Sequence, residues 1–209
     1  MNIFYRYIFK TIIFLIFFLA FFKNAFAHID SPPPKRMDYL VLKNSENKEI
    51  EIRKYNKSKL ISTNVMNSLE RSFKTGIFVL GGYLLGDNKS YEKIQPLILP
   101  TIFETENSDN LKVETSEIKR KILIYLPQSY LSKNLPEPNN KEINTELSNG
   151  FLVASIKLSK ITDNEIAISK KKLDNFLIKN DLIKKKIIVS QYKTGFFGAS
   201  YELWYVLEQ

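Results

Sequence analysis

The chain of 209 residues contains no cysteine and only one histidine, His28. Without cysteine it can form no disulfide, no thiolate zinc site and no thiol nucleophile. With one imidazole it can form neither a Ser–His or Cys–His catalytic pair nor a zinc site with two histidines. The remaining carboxylates stand in no pattern that indicates a reaction class. These absences predict a binding protein rather than an enzyme, with no resident metal.

The N-terminus has the pattern of a secretory signal peptide. Basic residues at its start precede an apolar run at 11–22, and the triplet Ala25-Phe26-Ala27 follows. The run is shorter than the roughly 20 residues of a spanning helix. The pattern predicts a signal peptide over 1–27, cut after Ala27, and export to the periplasm or the medium. An uncleaved anchor is the alternative, and it is the only case in which we expect contact with a membrane.

Cleavage after Ala27 would leave a single domain of ordinary size. Residues 28–37 are rich in proline and predict an extended lead-in, with His28 at its first position, and the folded domain is expected over 38–208. The whole chain has a net charge of +9, and its densest lysine runs lie at 169–173 and 183–187. No aromatic residue is interleaved with either run, so they predict solvated faces rather than a nucleic-acid site. We expect a monomer.

The order of predicted elements is three strands, a helix and a strand, followed by three strands, a helix and two strands. One helix is predicted from Asn67 to Leu85, and the second begins at the capping box Thr162–Glu165. The segment 93–104, interrupted by two prolines, predicts an edge or bulged strand. Two helices cannot cover two separate sheets, so the pattern favours an α+β fold with one curved antiparallel sheet or open barrel. The halves share architecture but no close residue identity.

The first predicted helix has two distinct faces. Leu69, Phe73, Ile77, Leu80 and Leu84 form a narrow apolar stripe, which predicts the core face. The opposite side carries Arg71, Lys74, Phe78, Gly81, Gly82 and Leu85. Because a helical glycine costs about 1 kcal/mol relative to alanine, something is expected to approach the backbone closely there. Another protein element and a flat ligand are equally good candidates.

Two acids, Glu51 and Glu202, are predicted in the middle of apolar strands. Each has two interpretations. One is a structural partner for a buried or half-buried cation such as Arg53. The other is an acid that lines a pocket and receives a cationic or polar group of a ligand.

Five segments together resemble the SOUL haem-binding family, and the resemblance extends from about Tyr39 to Glu208. They are IEIRKY at 50–55, GGYLLGDN at 81–88, IYLPQSYLSKNLPEP at 124–138, VSQYKTGF at 189–196 and YELWYVLE at 201–208. The resemblance implies a distorted antiparallel β-barrel flanked by two helices, with a pseudo-twofold repeat. It also implies that the protein binds haem or another tetrapyrrole. The family is similar to effector-binding domains that hold amphipathic ligands through a glutamate of the last strand.

The resemblance also implies which residues form the ligand site. The family's porphyrin pocket lies on the first helix and the loop before the last strand. Here these positions are Lys74, Ile77, Gly81 and Gly82 on the helix and Phe196 and Phe197 in the loop, and Glu202 matches the last-strand glutamate. Arg71 and Lys74 are the expected partners of propionates, and Phe78 is an expected apolar contact. We therefore expect haem or free porphyrin to bind without a histidine axial ligand. The alternative is a binder of amphipathic small molecules or lipids that uses Glu202 as a polar anchor.

Overall fold

The structure is a computed structural model that describes residues 35–95, 97–105, 111, 118–192 and 200–208. The predicted signal peptide, His28 and the Phe196-Phe197 pair lie outside the described residues. Eleven strands and two helices form in the described part. The strands are β1 (Lys35–Arg36), β2 (Tyr39–Asn44), β3 (Ile50–Tyr55), β4 (Ser58–Met66), β5 (Ile98–Leu99), β6 (Thr101–Thr105), β7 (Lys119–Tyr125), β8 (Asn144–Ser148), β9 (Phe151–Leu158), β10 (Lys184–Gln191) and β11 (Tyr201–Leu207). The helices are α1 (Leu69–Leu84) and α2 (Asp163–Lys179).

Nine of the strands form one antiparallel sheet, in the order β2-β3-β9-β11-β10-β6-β7-β4-β8. The α+β class is confirmed. The described strands do not close into a barrel, because β2 and β8 each lack a second partner in this order. The remaining strands, β1 and β5, pair with each other in parallel.

The strand order has the twofold pattern that the element order predicts. The chain consists of two corresponding units, β3-β4-α1-β6-β7 and β8-β9-α2-β10-β11. If each strand is replaced by its counterpart in the other unit, the sheet order from β3 to β8 is read in reverse. Placing the axis at the pair Phe103–Val189 of the central ladder between β6 and β10 brings the ends of the corresponding strands into register. The first strand of each unit pairs within the other unit, so the two halves are interlocked. The sheet register therefore makes each position of one half equivalent to a definite position of the other.

Both helices pack on the same face of the sheet and form the larger core there. Leu80 of α1 and Leu173 of α2 are fully buried in this cluster with alternate residues of the strands. Thr162 caps α2 as predicted, since its hydroxyl accepts the backbone N–H of Glu165 at 3.3 Å. Four of the five positions of the predicted core stripe of α1 are buried, and the fifth, Ile77, is half-buried.

The opposite face of the sheet, which we call the helix-free face, carries a second core without any helix. It is rich in aromatic residues. Tyr55 stacks on Trp204 with ring centroids 5.1 Å apart, and Phe151 stacks on Tyr55 at 5.0 Å. Tyr55 and Trp204 are buried among Ile188 and Val153 of the neighbouring strands, and Phe151 is partly buried against them. Aromatic side chains are therefore buried on both faces of the sheet.

The segment around Pro100 differs from its prediction. It forms two short strands, and β6 lies in the interior of the sheet between β10 and β7. The prediction of an edge or bulged strand is therefore wrong for β6. Pro100 stands just before the first residue of β6, so the ladder loses no N–H donor and an interior position is permitted.

Candidate functional site

The solvent side of α1 carries a continuous row of residues that we call the α1 stripe: Arg71, Lys74, Phe78, Gly81, Gly82 and Leu85, the last at the C-cap. At about 100° per residue these positions fall within roughly one third of the helix circumference. Phe78 is 84% exposed and Leu85 is 58% exposed. The stripe thus presents cations at its first turns and apolar surface towards its end.

The glycines of α1 have opposite environments. An added Cβ at Gly76 would meet the side chain of Ile122 on β7 at 2.5 Å, so this glycine is required for the helix to approach the sheet. An added Cβ at Gly81 has no described atom within 4 Å, and one at Gly82 comes only within 3.9 Å of Asp87. Among the described residues, nothing packs against Gly81, and only Asp87 comes within contact distance of Gly82.

The two cations of the α1 stripe differ in their partners. Lys74 pairs with Glu70 at 2.7 Å on the exposed helix surface, and this pairing lowers the pKa of Glu70. Arg71 makes no ion pair with a described residue. Arg71 is therefore the cation of the stripe that is available to an added carboxylate, whereas Lys74 would have to exchange Glu70 for it.

The base of the loop before β11 lies beside α1. Tyr201, the first residue of β11, has its ring centroid 6.1 Å from that of Phe73 in the core face of α1. Burial and the nearby charge of Glu70 raise the pKa of Tyr201. Phe196 and Phe197, which precede Tyr201 in the sequence, lie outside the described residues. Ile77 is half-buried and contributes to the flank of the stripe.

Glu202 lies on the helix-free face, far from the solvent side of α1, and is buried within a polar network. Arg53 binds its carboxylate through both terminal nitrogens, with Nη1–Oε2 at 2.6 Å and Nη2–Oε1 at 3.1 Å. The hydroxyl of Tyr192 donates to Oε2 at 2.8 Å, and Nε1 of Trp204 donates to it at 2.7 Å. The described hydrogen-bond donors to this carboxylate are therefore Arg53, Tyr192 and Trp204.

Arg53 is equally enclosed. Its Nε donates to Glu51 at 2.7 Å, and its guanidinium carbon lies 4.6 Å from the ring centroid of Tyr39. Burial by itself would lower the pKa of Arg53, but the bidentate carboxylate of Glu202 outweighs it and raises that pKa. For the neutral phenol of Tyr55 burial has the opposite effect, and it raises the pKa of Tyr55 to about 12. Arg53 therefore stays a cation at every working pH, and we call its surroundings the Arg53 cage (Tyr39, Glu51, Tyr192, Glu202 and Trp204).

The interpretation of Glu51 and Glu202 as structural partners of Arg53 therefore agrees with the structure. The network also includes Tyr192 and Trp204, which sequence reasoning missed. Neither carries a local signal, because both are aromatic residues in apolar strands and their polar atoms meet Glu202 only through the sheet register. Gly76 was also missed, although its place in the apolar row of α1 with Phe73 and Leu80 is a signal that the helical period provides.

Within the described residues, the remaining charged side chains form no further candidate binding site. Lys172 pairs with Glu49 and Lys186 pairs with Glu104, so each lysine run is partly neutralised. No group of three or more acids or histidines that could hold a metal ion occurs in the described part. Neither described helix combines the length and the apolar character that a bilayer crossing requires.

Solved structures with the same fold support this architecture. The EcmrR C-terminal domain superposes with a TM-score of 0.53 at 10% identity, covering 77% of this chain and 97% of that one. A hydrolase from Listeria innocua gives 0.54 at 8% identity, covering 90% and 98% of the two chains. An uncharacterized conserved protein from Listeria innocua gives 0.55 at 9% identity, covering 84% and 94%. These identities establish similarity of fold alone.

Sequence comparison identifies the family. No curated protein sequence matches the chain. The profile described as SOUL heme-binding protein matches residues 35–206, from β1 almost to the end of β11. This match includes all five of the segments that carry the resemblance, apart from the last residues of the fifth. The chain therefore belongs to the SOUL haem-binding protein family.

Proposed function

We propose that this protein binds haem or a free tetrapyrrole on the α1 stripe. The observation that carries the proposal is the exposed Phe78, 84% accessible, next to a helix surface that is open at Gly81. A flat ring can approach the backbone at Gly81 and Gly82 because no side chain stands there. Phe78 and Leu85 then supply apolar contact, and burying such side chains is worth roughly 1.5–3 kcal/mol each.

The charges of the stripe suit a ligand with carboxylates at one edge. Arg71 has no competing ion pair with a described residue and is placed about one turn before Lys74. A guanidinium binds a carboxylate through two parallel hydrogen bonds, which a lysine cannot do. We therefore assign the larger share of propionate binding to Arg71 and the smaller to Lys74.

Haem would bring its own iron, but the described residues contain no histidine to serve as an axial ligand. The residues of the stripe hold the macrocycle by apolar contact and charge. Haemin and protoporphyrin should consequently bind with similar affinity, since nothing in the stripe distinguishes the iron. The chemistry expected of the protein is carriage of the tetrapyrrole.

The proposal is tested by titrating the purified protein with haemin and with protoporphyrin while recording the Soret band. We expect Phe78→Ser to weaken both affinities about tenfold or more, because it removes the central apolar contact. Ile178→Ser is the matched control, since Ile178 is 77% exposed on α2, away from the stripe. A low-spin spectrum typical of two histidine ligands, or equal affinities for the two variants, would contradict the proposal.

We further propose that this binding takes place outside the cytoplasm. The basis is the pattern of residues 1–27, with its charged start, short apolar run and Ala-Phe-Ala site. N-terminal sequencing of the protein recovered from the periplasm or the medium should find His28 as the first residue. Recovery of the intact chain in the membrane fraction would instead support an uncleaved anchor.

The alternative use of Glu202 as an anchor for cationic amphiphiles has no supporting observation. Its carboxylate is buried and accepts both terminal nitrogens of Arg53. An added cation would have to displace a bidentate guanidinium. A cationic amphiphile is therefore expected to leave the thermal stability of the unmodified protein unchanged.

A further inference from the structure

The helix-free face of the sheet contains an open groove of about 290 Å³, which β4, β7 and β8 line together with their neighbours. The apolar residues that line it are Leu60, Leu123, Tyr125, Phe151, Ile188 and Val206. A volume of about 300 Å³ is the lower end of the usual range for ligand cavities. The groove therefore has room for one or two fused rings and not for a tetrapyrrole macrocycle.

The twofold relation between the two halves of the sheet shows what fits this space. By the sheet register, Leu123 on β7 corresponds to Trp204 on β11. Ser148 on β8 corresponds in the same way to Tyr55 on β3. The indole of Trp204 is fully buried and stacks on Tyr55 at 5.1 Å. The groove is the equivalent space without those two rings, so an aromatic group of about the size of an indole should fit it.

An aromatic wall borders this space. The rings of Tyr125 and Phe151 both line the groove, with their centroids 5.7 Å apart. Burial raises the pKa of Tyr125, so its phenol is neutral at physiological pH. Phe151 is only half-buried, and part of its ring surface is accessible. A ligand ring can therefore stack here, as aromatic pairs do at centroid distances of about 4.5–7 Å.

The lining of the groove includes three lysines and two glutamates, and so carries an excess of positive charge. Lys121 pairs with Glu146 at 2.5 Å. Lys186 pairs with Glu104 at 2.5 Å. Lys185 is exposed and makes no ion pair with a described residue. Both acids are thus neutralised, and the charge left for a ligand is the ammonium group of Lys185.

The twofold relation favours the same sign of ligand charge. Lys121 on β7 stands at the position where β11 has Glu202. Nε1 of Trp204 donates to Glu202 at 2.7 Å, so the buried ring of that half directs a donor towards an acid. A ring in the groove would meet a cation at the equivalent place. Its best partner there is an acceptor group, and an anionic acceptor forms the stronger hydrogen bond.

We infer that this groove binds a small aromatic carboxylate, whose ring stacks on Tyr125 and Phe151 and whose carboxylate pairs with Lys185. The groove lies on the face of the sheet opposite to both helices. The inference is therefore independent of the proposed tetrapyrrole site on the α1 stripe. The carboxylate of Glu202 takes no part in this site, because it belongs to the other half of the sheet.

The test is a titration of the ¹⁵N-labelled full chain with indole-3-acetate, followed by NMR. We expect saturable binding, with shift changes on β7, β8 and β10 and none on α1. Indole and tryptamine are the matched probes, because indole lacks the charged arm and tryptamine carries an ammonium group on it. Indole should bind about fivefold more weakly, since it loses one exposed ion pair. Tryptamine should show no saturable binding.

Substitutions locate the site. Lys185→Met should weaken the binding of indole-3-acetate about fivefold, because it removes the unpaired cation. Lys54→Met is the matched control and should leave the affinity unchanged, since Lys54 is exposed on β3 and makes no ion pair with a described residue. Leu123→Trp should weaken binding at least about tenfold, because a tethered indole then occupies part of the groove. Phe78→Ser, on the α1 stripe, should have no effect.

Absence of binding at about 10 mM indole-3-acetate would overturn the inference. Tryptamine that binds as tightly as the acid, or equal affinities of Lys185→Met and Lys54→Met, would overturn it as well. Binding that is lost in Phe78→Ser and kept in Leu123→Trp would place the acid on the α1 stripe instead. Lys185 and Lys54 are both exposed, so their comparison holds even if Leu123→Trp does not fold.

Discussion

Two ion pairs occupy equivalent positions in the two spatial halves of the sheet, with their charges reversed. The first spatial half consists of β6, β7, β4 and β8, and the second consists of β3, β9, β11 and β10. In the second half Arg53 on β3 pairs with Glu202 on β11 at 2.6 Å, across β9. In the first half Glu146 on β8 pairs with Lys121 on β7 at 2.5 Å, across β4. The ladder partners are Val153–Arg53 and Lys157–Glu202 in one half, and Leu60–Glu146 and Asn64–Lys121 in the other. Each pair thus spans the same diagonal across its central strand.

The two pairs differ in burial because their neighbours differ in volume. The side chains of Arg53 and Glu202 are 6% and 8% exposed, against 32% and 41% for Lys121 and Glu146. The register makes Trp204 equivalent to Leu123 and Tyr55 equivalent to Ser148. Where the second half has stacked rings, the first half has a groove of about 290 Å³ lined by Leu123 and Ser148.

The comparison separates two properties of the fold. The sheet geometry brings the two diagonal positions close together in either half, so opposite charges can pair there with either sign. The volume of the surrounding side chains then decides whether the pair becomes an enclosed cage or an open groove. A buried pair is costly to break because it leaves an uncompensated charge, whereas an exposed pair contributes little.

The sharpest test of this difference removes the cation from each pair. Arg53→Met should lower the free energy of unfolding by about 3–5 kcal/mol, since Glu202 is left buried without its counter-charge. Lys121→Met should lower it by at most about 1 kcal/mol, because water reaches Glu146. Urea unfolding at neutral pH measures both values. Equal losses for the two variants would show that burial does not distinguish the pairs.

A second test exchanges the large neighbour for its small equivalent. Trp204→Leu should cost about 3 kcal/mol, because it leaves a cavity and removes the hydrogen bond from Nε1 to Glu202. The reverse change, Leu123→Trp, adds volume at a buried position that lines the groove, and it should cost about 1–2 kcal/mol because the groove can accept part of the ring. Urea unfolding followed by far-UV circular dichroism compares them without relying on tryptophan emission. A larger loss for Leu123→Trp would mean that the groove is not available space.

The smallest expected effect concerns the pH dependence of the exposed pair. Partial burial acts to raise the pKa of Glu146, but hydrogen bonds from Lys121 and Ser62 outweigh it and lower the pKa below the ordinary value of 4.5. A lowered folded-state pKa adds stability that is present above the unfolded-state value and is lost as the pH falls through the folded-state value. The stability difference between unmodified protein and Lys121→Met should therefore be full at neutral pH.

That difference should shrink as the pH falls below the ordinary glutamate value and should vanish once Glu146 is protonated in the folded state. Urea unfolding at neutral pH and at about pH 3 measures it. Lys54→Met is a suitable control, because Lys54 is exposed on β3 and makes no ion pair with a described residue. A difference that persists unchanged in acid would assign the effect to lost packing of the Lys121 side chain.

Local patterns predicted most of the secondary structure. The helical period predicted a helix from Asn67 to Leu85, close to the observed Leu69–Leu84, and the capping box at Thr162 predicted the start of α2, which the hydrogen bond from Glu165 confirms. These signals depend on neighbours in sequence, so the sequence carries them directly. The prolines near β6 misled the prediction, because Pro100 stands just outside the strand and blocks no ladder hydrogen bond.

For the candidate sites, the sequence predicted which residues share a face of α1 but not which residues they contact. The helical period placed Arg71, Lys74 and Phe78 on one face of α1, and the structure exposes Phe78 there. The same period places Gly76 in the core row and Gly81 on the opposite side, but only the packing of α1 on β7 shows that an added Cβ at Gly76 would meet Ile122. Glu202 was recognised as unusual, but its partner is 149 positions away and is fixed by strand register.

The sequence by itself determined the fold class, the family and the residues exposed along α1, because these follow from short-range periodicity and from ordered local segments. Only the tertiary structure decided that Glu202 is neutralised by Arg53 while Glu146 stays open to water. The physical reason is that both outcomes depend on cross-strand neighbours. The pairing of β3 with β9 and of β9 with β11 brings Arg53 beside Glu202, and the rings of Tyr55 and Trp204 exclude water from them.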